Sequence, residues 1–284
     1  MGIKAYLELT RPPNSLMSGL GAVLTIVVFL DYSVSWDHVL LLLVAFTTGF
    51  TLTAGSMIIN DVVDVEVDKL NKPWKPLPRG EASAKTALVL AALTTTLGVL
   101  VNITTSNYKL TITALIYALA GITYSFLRKY WWSHTLVAFS TTGPIVYGYI
   151  ASNQPLHKIQ LAALFTLIVF LATLGREILK AVQDYRGDLE RGYFTVATKY
   201  GVNTAIKVML TTGLLATLLA VVSTIVLNTG VFYKTLILIT AILYTHSLIE
   251  AYKNNKKLEI LEKSRKKTLV AMNIGLLAFW LSGL

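Results

Sequence analysis

The sequence predicts an all-α membrane protein: a bundle of about nine transmembrane helices around a central cavity, with its N-terminus in the cytoplasm. Three observations lead there. Of 284 residues, 54% are hydrophobic and 14% charged, against about 25% charged in a soluble globular chain. The mean hydropathy is +0.62. Apolar stretches near the roughly 17–25 residues that cross a bilayer as a helix recur along the whole length.

The stretches run over residues 14–30, 39–59, 86–103, 110–127, 135–150, 159–179, 204–227, 231–251 and 268–284. The fifth and ninth are the shortest. The first follows Arg11-Pro12-Pro13 directly and reads as a membrane span rather than a cleavable leader. With nine spans, nineteen Lys and Arg fall on one set of loops, and only Lys109, Lys158 and Lys234 on the other. That asymmetry places the basic loops and the N-terminus in the cytoplasm. It also accounts for the net charge of +10 without nucleic acid. No soluble segment interrupts the pattern, so residues 1–284 are expected to form one domain.

Two cytoplasmic connections, residues 60–85 and 180–203, are long and rich in both signs of charge. Each follows an even-numbered span and carries an Asp cluster, which hints at a pseudo-repeat with a period near 120 residues. Eight of the fifteen acidic residues lie in or beside the two Asp clusters: Asp61, Asp64, Glu66, Asp68, Glu177, Asp184, Asp188 and Glu190.

In the first cluster, Asn60-Asp61-Val62-Val63-Asp64-Val65-Glu66-Val67-Asp68, residues four apart share a helical face, so Asn60, Asp64 and Asp68 align. The valines are β-formers, but an open strand edge cannot face lipid. A helical extension of the second span is expected. In the second cluster, Arg176, Lys180, Asp184 and Asp188 fall at successive i+4 positions, a stripe from cations inside the span to carboxylates at its mouth. Solvated helix ends often carry one such pair; two in one chain point to a site.

The chemistry follows from the residue types. There is no Cys, and the four His residues are far apart without an HExxH-like spacing, so a catalytic zinc is not expected. Facing carboxylates need a cation between them, and oxygen ligands favour magnesium when a phosphate shares the site. The surrounding Lys69, Lys72, Lys75, Arg79, Arg128, Lys129, Arg176 and Lys180 suit an anion. Carboxylates, magnesium, cations and a lipid-like floor describe a site for a diphosphate with a long apolar tail.

At these residues the chain resembles the UbiA superfamily of intramembrane prenyltransferases. Asn60, Asp61, Asp64 and Asp68 match its NDxxDxxxD motif, and Asp184 and Asp188 its later DxxxD. Residues 71–80 resemble the N-[KR]-P-x-[RK]-P-[IL]-P-x-G segment, and Tyr124 with Arg128 or Lys129 its tyrosine with a downstream cation. The start Glu8-Leu9-Thr10-Arg11-Pro12-Pro13-Asn14 is similar to that of the archaeal ether-lipid branch, the digeranylgeranylglyceryl phosphate synthases. The chain departs from that branch at Ala181 and Gln183, where acids are usual, and at Arg128, where Lys is usual.

The resemblance implies an enzyme that transfers a geranylgeranyl group from geranylgeranyl diphosphate to the hydroxyl of geranylgeranylglyceryl phosphate. Asp61, Asp64, Asp68, Asp184 and Asp188 would be catalytic, with magnesium on Asn60, Asp64, Asp68, Asp184 and Asp188. Lys72, Arg79, Tyr124, Arg128, Lys129 and Lys180 would bind the diphosphate, and Arg11, Asn14 and Arg176 the acceptor. The same machinery prenylates aromatic acceptors such as hydroxybenzoate, homogentisate or haem in sister enzymes. A cation transporter is the reading from a different class, and so many Lys and Arg along an ion path speak against it. A CDP-alcohol phosphotransferase would need a DG-xx-AR segment that the chain lacks.

Three smaller signals complete the reading. Tyr130-Trp131-Trp132 reads as a membrane-interface anchor. Residues 253–267 read as a solvated cytoplasmic loop beside anionic lipid. Asn102-Ile103-Thr104 matches a glycosylation sequon on an outer loop.

Overall fold

A computed structural model describes residues 2–283, with side chains throughout except those of Val67, Leu70 and Asn71. Its elements are helices, and among the described residues the only β pairing is a bridge between Tyr130 and Phe194. A chain in lipid must satisfy its backbone within each span, and helices do so. The expected all-α membrane architecture is the one observed.

The chain divides into two compact units. The first comprises Met1–Val27, Ser33–Phe126 and Gly143–Asn153. It contains α1 (Ile3–Leu9), most of α2 (Pro12–Phe29), α3 (Val39–Val63), α4 (Val65–Asn71), α5 (Ala84–Leu100), α6 (Tyr108–Leu127) up to Phe126, and α8 (Gly143–Ala151). Helices α3 and α5 pack through small residues: Gly55 lies against Thr94 and Thr95, and Gly98 against Thr51 and Leu52. Apolar contact between spans gains little over contact with lipid, so close backbone approach has to supply the packing. At the end of α3 that carries the first Asp cluster, Ile58 and Ile59 join Ala5 and Leu9 of α1, Leu77 and Ala82 of the following loop, and Ala87 and Ala91 of α5. That small core holds α1 and the 72–83 loop against the acidic end of α3.

The second unit comprises Val28–Tyr32, Leu127–Thr142 and Gln154–Leu284. It contains α7 (His134–Thr141), α9 (Ile159–Gln183), α10 (Tyr185–Glu190), α11 (Val196–Tyr200), α12 (Val202–Val226), α13 (Val231–Lys253) and α14 (Leu258–Trp280). Ile178, Leu179 and Val182 of α9 share a core with Val196 and Ala197 of α11, Ile206 and Met209 of α12, Leu248 of α13 and Leu261 of α14. This core backs the second acidic end as the other backs the first.

The repeat suggested by the two clusters is visible in the backbone. Helices α3 and α9 are each 25 residues long. Each is preceded by a 3-10 turn, Trp36–His38 or Leu156–Lys158, and followed by an Asp and a short helix. Two consecutive left-handed residues precede each turn, Asp31 and Tyr32 in one case, Asn153 and Gln154 in the other. The 3-10 turn, the long helix and the Asp of the second set each begin 120 residues after their counterparts.

Among the described residues, seven helices are long and apolar enough to cross a membrane: Pro12–Phe29, Trp36–Val63, Ala84–Thr105, Tyr108–Leu127, Leu156–Gln183, Val202–Val226 and Val231–Lys253. The fifth expected span is instead two short helices, α7 and α8, meeting at Thr142. Pro144 has no N–H to donate and its ring clashes with the preceding turn, so it starts a helix rather than continuing one. The ninth is the apolar half of α14, whose first half carries Lys263, Arg265, Lys266 and Lys267. The expected loop over residues 253–267 is thus largely helix. Leu, Glu, Lys and Arg are good helix formers, and an i,i+4 pair joins Glu262 and Lys266 at 2.7 Å.

The sequon at Asn102 is not a surface feature. Its side chain is fully buried, donates to Thr48 Oγ1 at 2.9 Å and to the Gly98 carbonyl at 2.8 Å, and accepts from the Tyr147 hydroxyl at 2.7 Å. Replacing it with Leu strands the Tyr147 hydroxyl. Asn102→Leu should cost about 1–3 kcal/mol of stability, read as a lower denaturant midpoint in detergent; an unchanged midpoint would show that the network contributes nothing.

Candidate active site

Helix α3 brings Asn60 and Asp61 to its last turn and ends at Val63, where the β-branched Val62, Val63 and Val65 weaken helix propensity. Asp64 takes φ −89° and ψ 1°, closing α3 and opening α4. Helix α3 stops there, but Asp64 stays bonded one turn back and one turn on. Asp64 N–H donates to Asn60 O at 3.0 Å, Asp68 N–H to Asp64 O at 2.8 Å and Lys72 N–H to Asp68 O at 2.8 Å. The column of Asn60, Asp64 and Asp68 expected from i+4 spacing therefore persists through the bend.

Asp61, Asp64 and Asp68 are only 4%, 5% and 2% exposed. Carboxylates buried to that degree need charge partners. Arg11 Nη2 lies 2.6 Å and Lys75 Nζ 2.7 Å from the same oxygen, Asp61 Oδ1. Lys75 Nζ also lies 2.5 Å from Asp68 Oδ2, and the exposed Lys72 stands 3.8 Å from Asp68 Oδ1. At an effective dielectric near 20, each of the closest contacts is worth about 6 kcal/mol of attraction, which works against a desolvation cost of several kcal/mol per ion. The pairing chiefly keeps the buried charges from being uncompensated.

Arg11 reaches Asp61 from the corner between α1 and α2, where its own backbone is left-handed at φ 46°. A non-glycine residue in that region costs on the order of 1–3 kcal/mol and is retained where its surroundings hold it. Asn14 is exposed one turn into α2, and Tyr124 is half-buried near the end of α6. Arg79, expected at the diphosphate, pairs with Glu8 at 3.1 Å and Glu81 at 2.7 Å. The cation that joins two motif aspartates is Lys75, to which the sequence assigned no role of its own.

Helix α9 repeats the arrangement with other side chains. Asp184 takes φ −86° and ψ 4° between α9 and α10. Asp184 N–H donates to Lys180 O, and Asp188 N–H to Asp184 O, both at 2.9 Å. Asp188 is buried and Asp184 exposed. Glu177, also without an assigned role, is buried on α9 with Arg176 Nη1 at 3.1 Å and Lys180 Nζ at 3.9 Å.

The loop carrying Arg128 and Lys129 is tied to the one after α10. Phe194 N–H donates to Lys129 O at 2.7 Å, Tyr193 N–H donates to Asp188 O at 2.9 Å, and the Arg128 guanidinium lies 5.6 Å from the Tyr193 ring centre. Lys129 Nζ lies over Tyr130 at 5.4 Å. Trp131, expected as an interface anchor, meets Tyr200 edge-on and has Lys199 over its face at 5.2 Å. His134, whose isolation in sequence argued only against zinc, is buried, with neither ring nitrogen hydrogen-bonded among the described residues.

Burial, and then the neighbouring Asp184, push the Asp188 carboxyl up to about 6; Arg128, Arg191 and Lys180 pull the other way. Between its ordinary value of 3.8 and about 6, the folded protein holds a proton that the unfolded chain has released. Stability therefore falls as pH rises through that window and stays lower above it. Asp188→Asn removes the penalty. In chelator, the variant should unfold at a higher denaturant concentration than the parent at pH 8, and show no such gain at pH 4. Equal behaviour at the two pH values would contradict a raised carboxyl.

The donors fit a hard divalent cation. All are oxygens, and the buried Asn60 Oδ1 and Gln183 Oε1 accept no hydrogen bond among the described residues. No three carboxylate or His groups among the described residues form a ready-made metal cluster.

Comparison with known proteins agrees with this chemistry. The UbiA prenyltransferase family model matches residues 21–277. A digeranylgeranylglyceryl phosphate synthase from Saccharolobus solfataricus is 32% identical over 288 residues, covering 100% of this chain and 98% of the relative. A solved structure concerned with digeranylgeranylglyceryl phosphate synthase in membranes superposes with a TM-score of 0.81 at 28% identity, over 99% of this chain and 98% of its own. A UbiA homolog from Archaeoglobus fulgidus, bound to GPP and Mg2+, shares the fold with a TM-score of 0.69 at 19% identity, over 97% and 99% of the two chains. This chain is a multi-pass membrane protein and belongs to the UbiA prenyltransferase family.

Proposed function

We propose that the protein transfers a geranylgeranyl group from geranylgeranyl diphosphate to the free hydroxyl of geranylgeranylglyceryl phosphate, forming the second ether bond of an archaeal membrane lipid. The observation that carries this reading is the end-to-end similarity to the S. solfataricus synthase, joined to the buried carboxylate motifs. In the reaction the C1–O bond to diphosphate breaks with its electron pair going to the diphosphate. The acceptor oxygen forms the new C1–O bond and loses its proton.

Magnesium bound at this site would neutralise charge on the departing diphosphate. Asn60, Asp64, Asp68, Asp184 and Asp188 are its ligands in this reading; Asp61 is a carboxylate that holds cations. Lys72, Arg128, Lys129 and Lys180, with Arg79 and Tyr124, bind diphosphate oxygens, preorganised positive charge where negative charge develops. Arg176, Asn14 and Arg11 on its Asp61 anchor serve the acceptor, whose own phosphate needs a cation. The apolar spans keep water from the allylic centre. Residues 1–284 act as one catalytic domain, with the basic loops and the active site on the cytoplasmic side of the cell membrane.

Purified protein supplied with radiolabelled geranylgeranyl diphosphate should label geranylgeranylglyceryl phosphate in preference to hydroxybenzoate, homogentisate or haem. Labelling of an aromatic acceptor alone would overturn the ether-lipid assignment. Asp64→Asn and Asp188→Asn should each lower turnover by at least about a hundredfold, some 2.7 kcal/mol of barrier, with membrane insertion intact. Groups acting on one step are non-additive, so the double variant should be little worse than the poorer single one; multiplied losses would place the two aspartates in separate steps.

A further inference from the structure

Two carboxylates of the first motif share one ammonium. Asp61 and Asp68 lie seven residues apart across the bend at Asp64, and Lys75 Nζ contacts both, Asp61 Oδ1 at 2.7 Å and Asp68 Oδ2 at 2.5 Å. The Lys75 side chain is 14% exposed and those of the carboxylates 5% and 3%. The lysine is held from behind. Its N–H donates to Lys72 O and its carbonyl accepts from Arg79 N–H, each at 3.0 Å, while the next two residues, Pro76 and Leu77, are buried.

The two carboxylates depend on Lys75 unequally. Asp61 has a second close partner, Arg11 at 2.6 Å. Among the described residues, the other ion pair of Asp68 is the looser one with exposed Lys72 at 3.8 Å. The ammonium is thus anchored through Asp61 and spends its second contact on Asp68.

We infer that Lys75 is the resident counter-ion of Asp68, and that it competes with a divalent cation for that carboxylate. This rests on the reading of Asp68 as a metal ligand. In the metal-free protein the ammonium keeps Asp68 compensated and in place. When the carboxylate turns to a metal, Lys75 remains on Asp61 beside Arg11, and its freed hydrogen-bonding capacity faces an anion. Lys75 is a positioning residue with two partners of different permanence. A single positive charge in a buried acidic motif opposes entry of a second cation, so its removal should tighten metal binding while weakening the metal-free fold.

The test is a titration of Mn2+ into the full-length protein in detergent, with free Mn2+ followed by electron paramagnetic resonance. Lys75→Met should bind Mn2+ about tenfold more tightly than the parent, a typical coupling between linked sites. Lys75→Arg, which keeps the charge, should show no such gain. Lys69→Met, which removes an equal charge from the exposed pair with Glu66 at 2.8 Å, should leave the affinity unchanged. In chelator Lys75→Met should melt below the parent and recover more on addition of Mn2+; Lys75→Gln repeats the comparison if Lys75→Met does not fold. Unchanged or weaker Mn2+ binding in the neutral variants, with binding abolished in Asp68→Asn, would overturn the competition while sparing the ligand. Parent-like Mn2+ binding in Asp68→Asn would instead remove Asp68 from the metal site, and the inference with it.

Discussion

Buried carboxylates at helix ends are the constraint to which the rest of the site answers. Asp61, Asp64 and Asp68 are almost wholly removed from water, and an uncompensated charge there would not stay charged. The surrounding features of the first unit are arranged to compensate them. Helix α1 and Leu77 pack on the end of α3 through Leu9, Ile58 and Ile59, and so bring Arg11 and Lys75 within ion-pair distance of the aspartates. The left-handed backbone at Arg11 costs conformational energy, which the Asp61 pair offsets. Replace the aspartates with apolar residues and neither the corner nor the loop has a reason to hold its cation inward.

The internal repeat shows how one backbone device serves two charge patterns. Asp64 and Asp184 have nearly the same dihedrals, follow helices of the same length, and each donates one i→i−4 bond and accepts another. The side chains 120 residues apart differ in charge: Lys180 stands where the first copy has neutral Asn60, and neutral Ala181 where it has Asp61. The first copy therefore gathers cations onto acids from outside its helix. The second carries Arg176 and Lys180 within the helix and buries Glu177 against them. Asp188, with a neighbouring Asp184 and cations acting mainly through space, is left at the edge of ionisation near pH 6. A carboxyl so poised marks a candidate functional position rather than an ordinary solvated helix end.

What sequence made legible was local. The i+4 column of Asn60, Asp64 and Asp68 follows from helix period alone, and the backbone carries it even where the helix bends. The 120-residue period could be read because it moves whole helices together. The partners of the aspartates were hidden, since they are set by irregular chain. Lys75 meets Asp61 across a bend and a loop whose path depends on Pro76 and Leu77 packing. Arg79, of the same charge and in the same motif, turns to Glu8 and Glu81. Hydropathy misjudged two elements for the same reason, that it sums residues without their stereochemistry. It ran a span through Pro144, and it read the lysines of residues 253–267 as loop although Glu and Lys four apart favour a helix.

The two bends coincide with the two points of the chain at which the proposed chemistry sits. In a membrane a helix that stops leaves carbonyls and amides unsatisfied, each at a cost of several kcal/mol. A helix that runs on straight carries its side chains onto a single fixed line. Asp64 and Asp184 take a third course: backbone near ψ 0° between a long and a short helix, with the Asp's own N–H and C=O each still bonded one turn away. The side-chain column of the long helix continues into the short one, while the amide and carbonyl of the aspartate at the bend remain paired. The aspartate at each bend is both the residue that closes the long helix and one of the proposed ligands, so the shape of the backbone and the proposed chemistry meet at the same position.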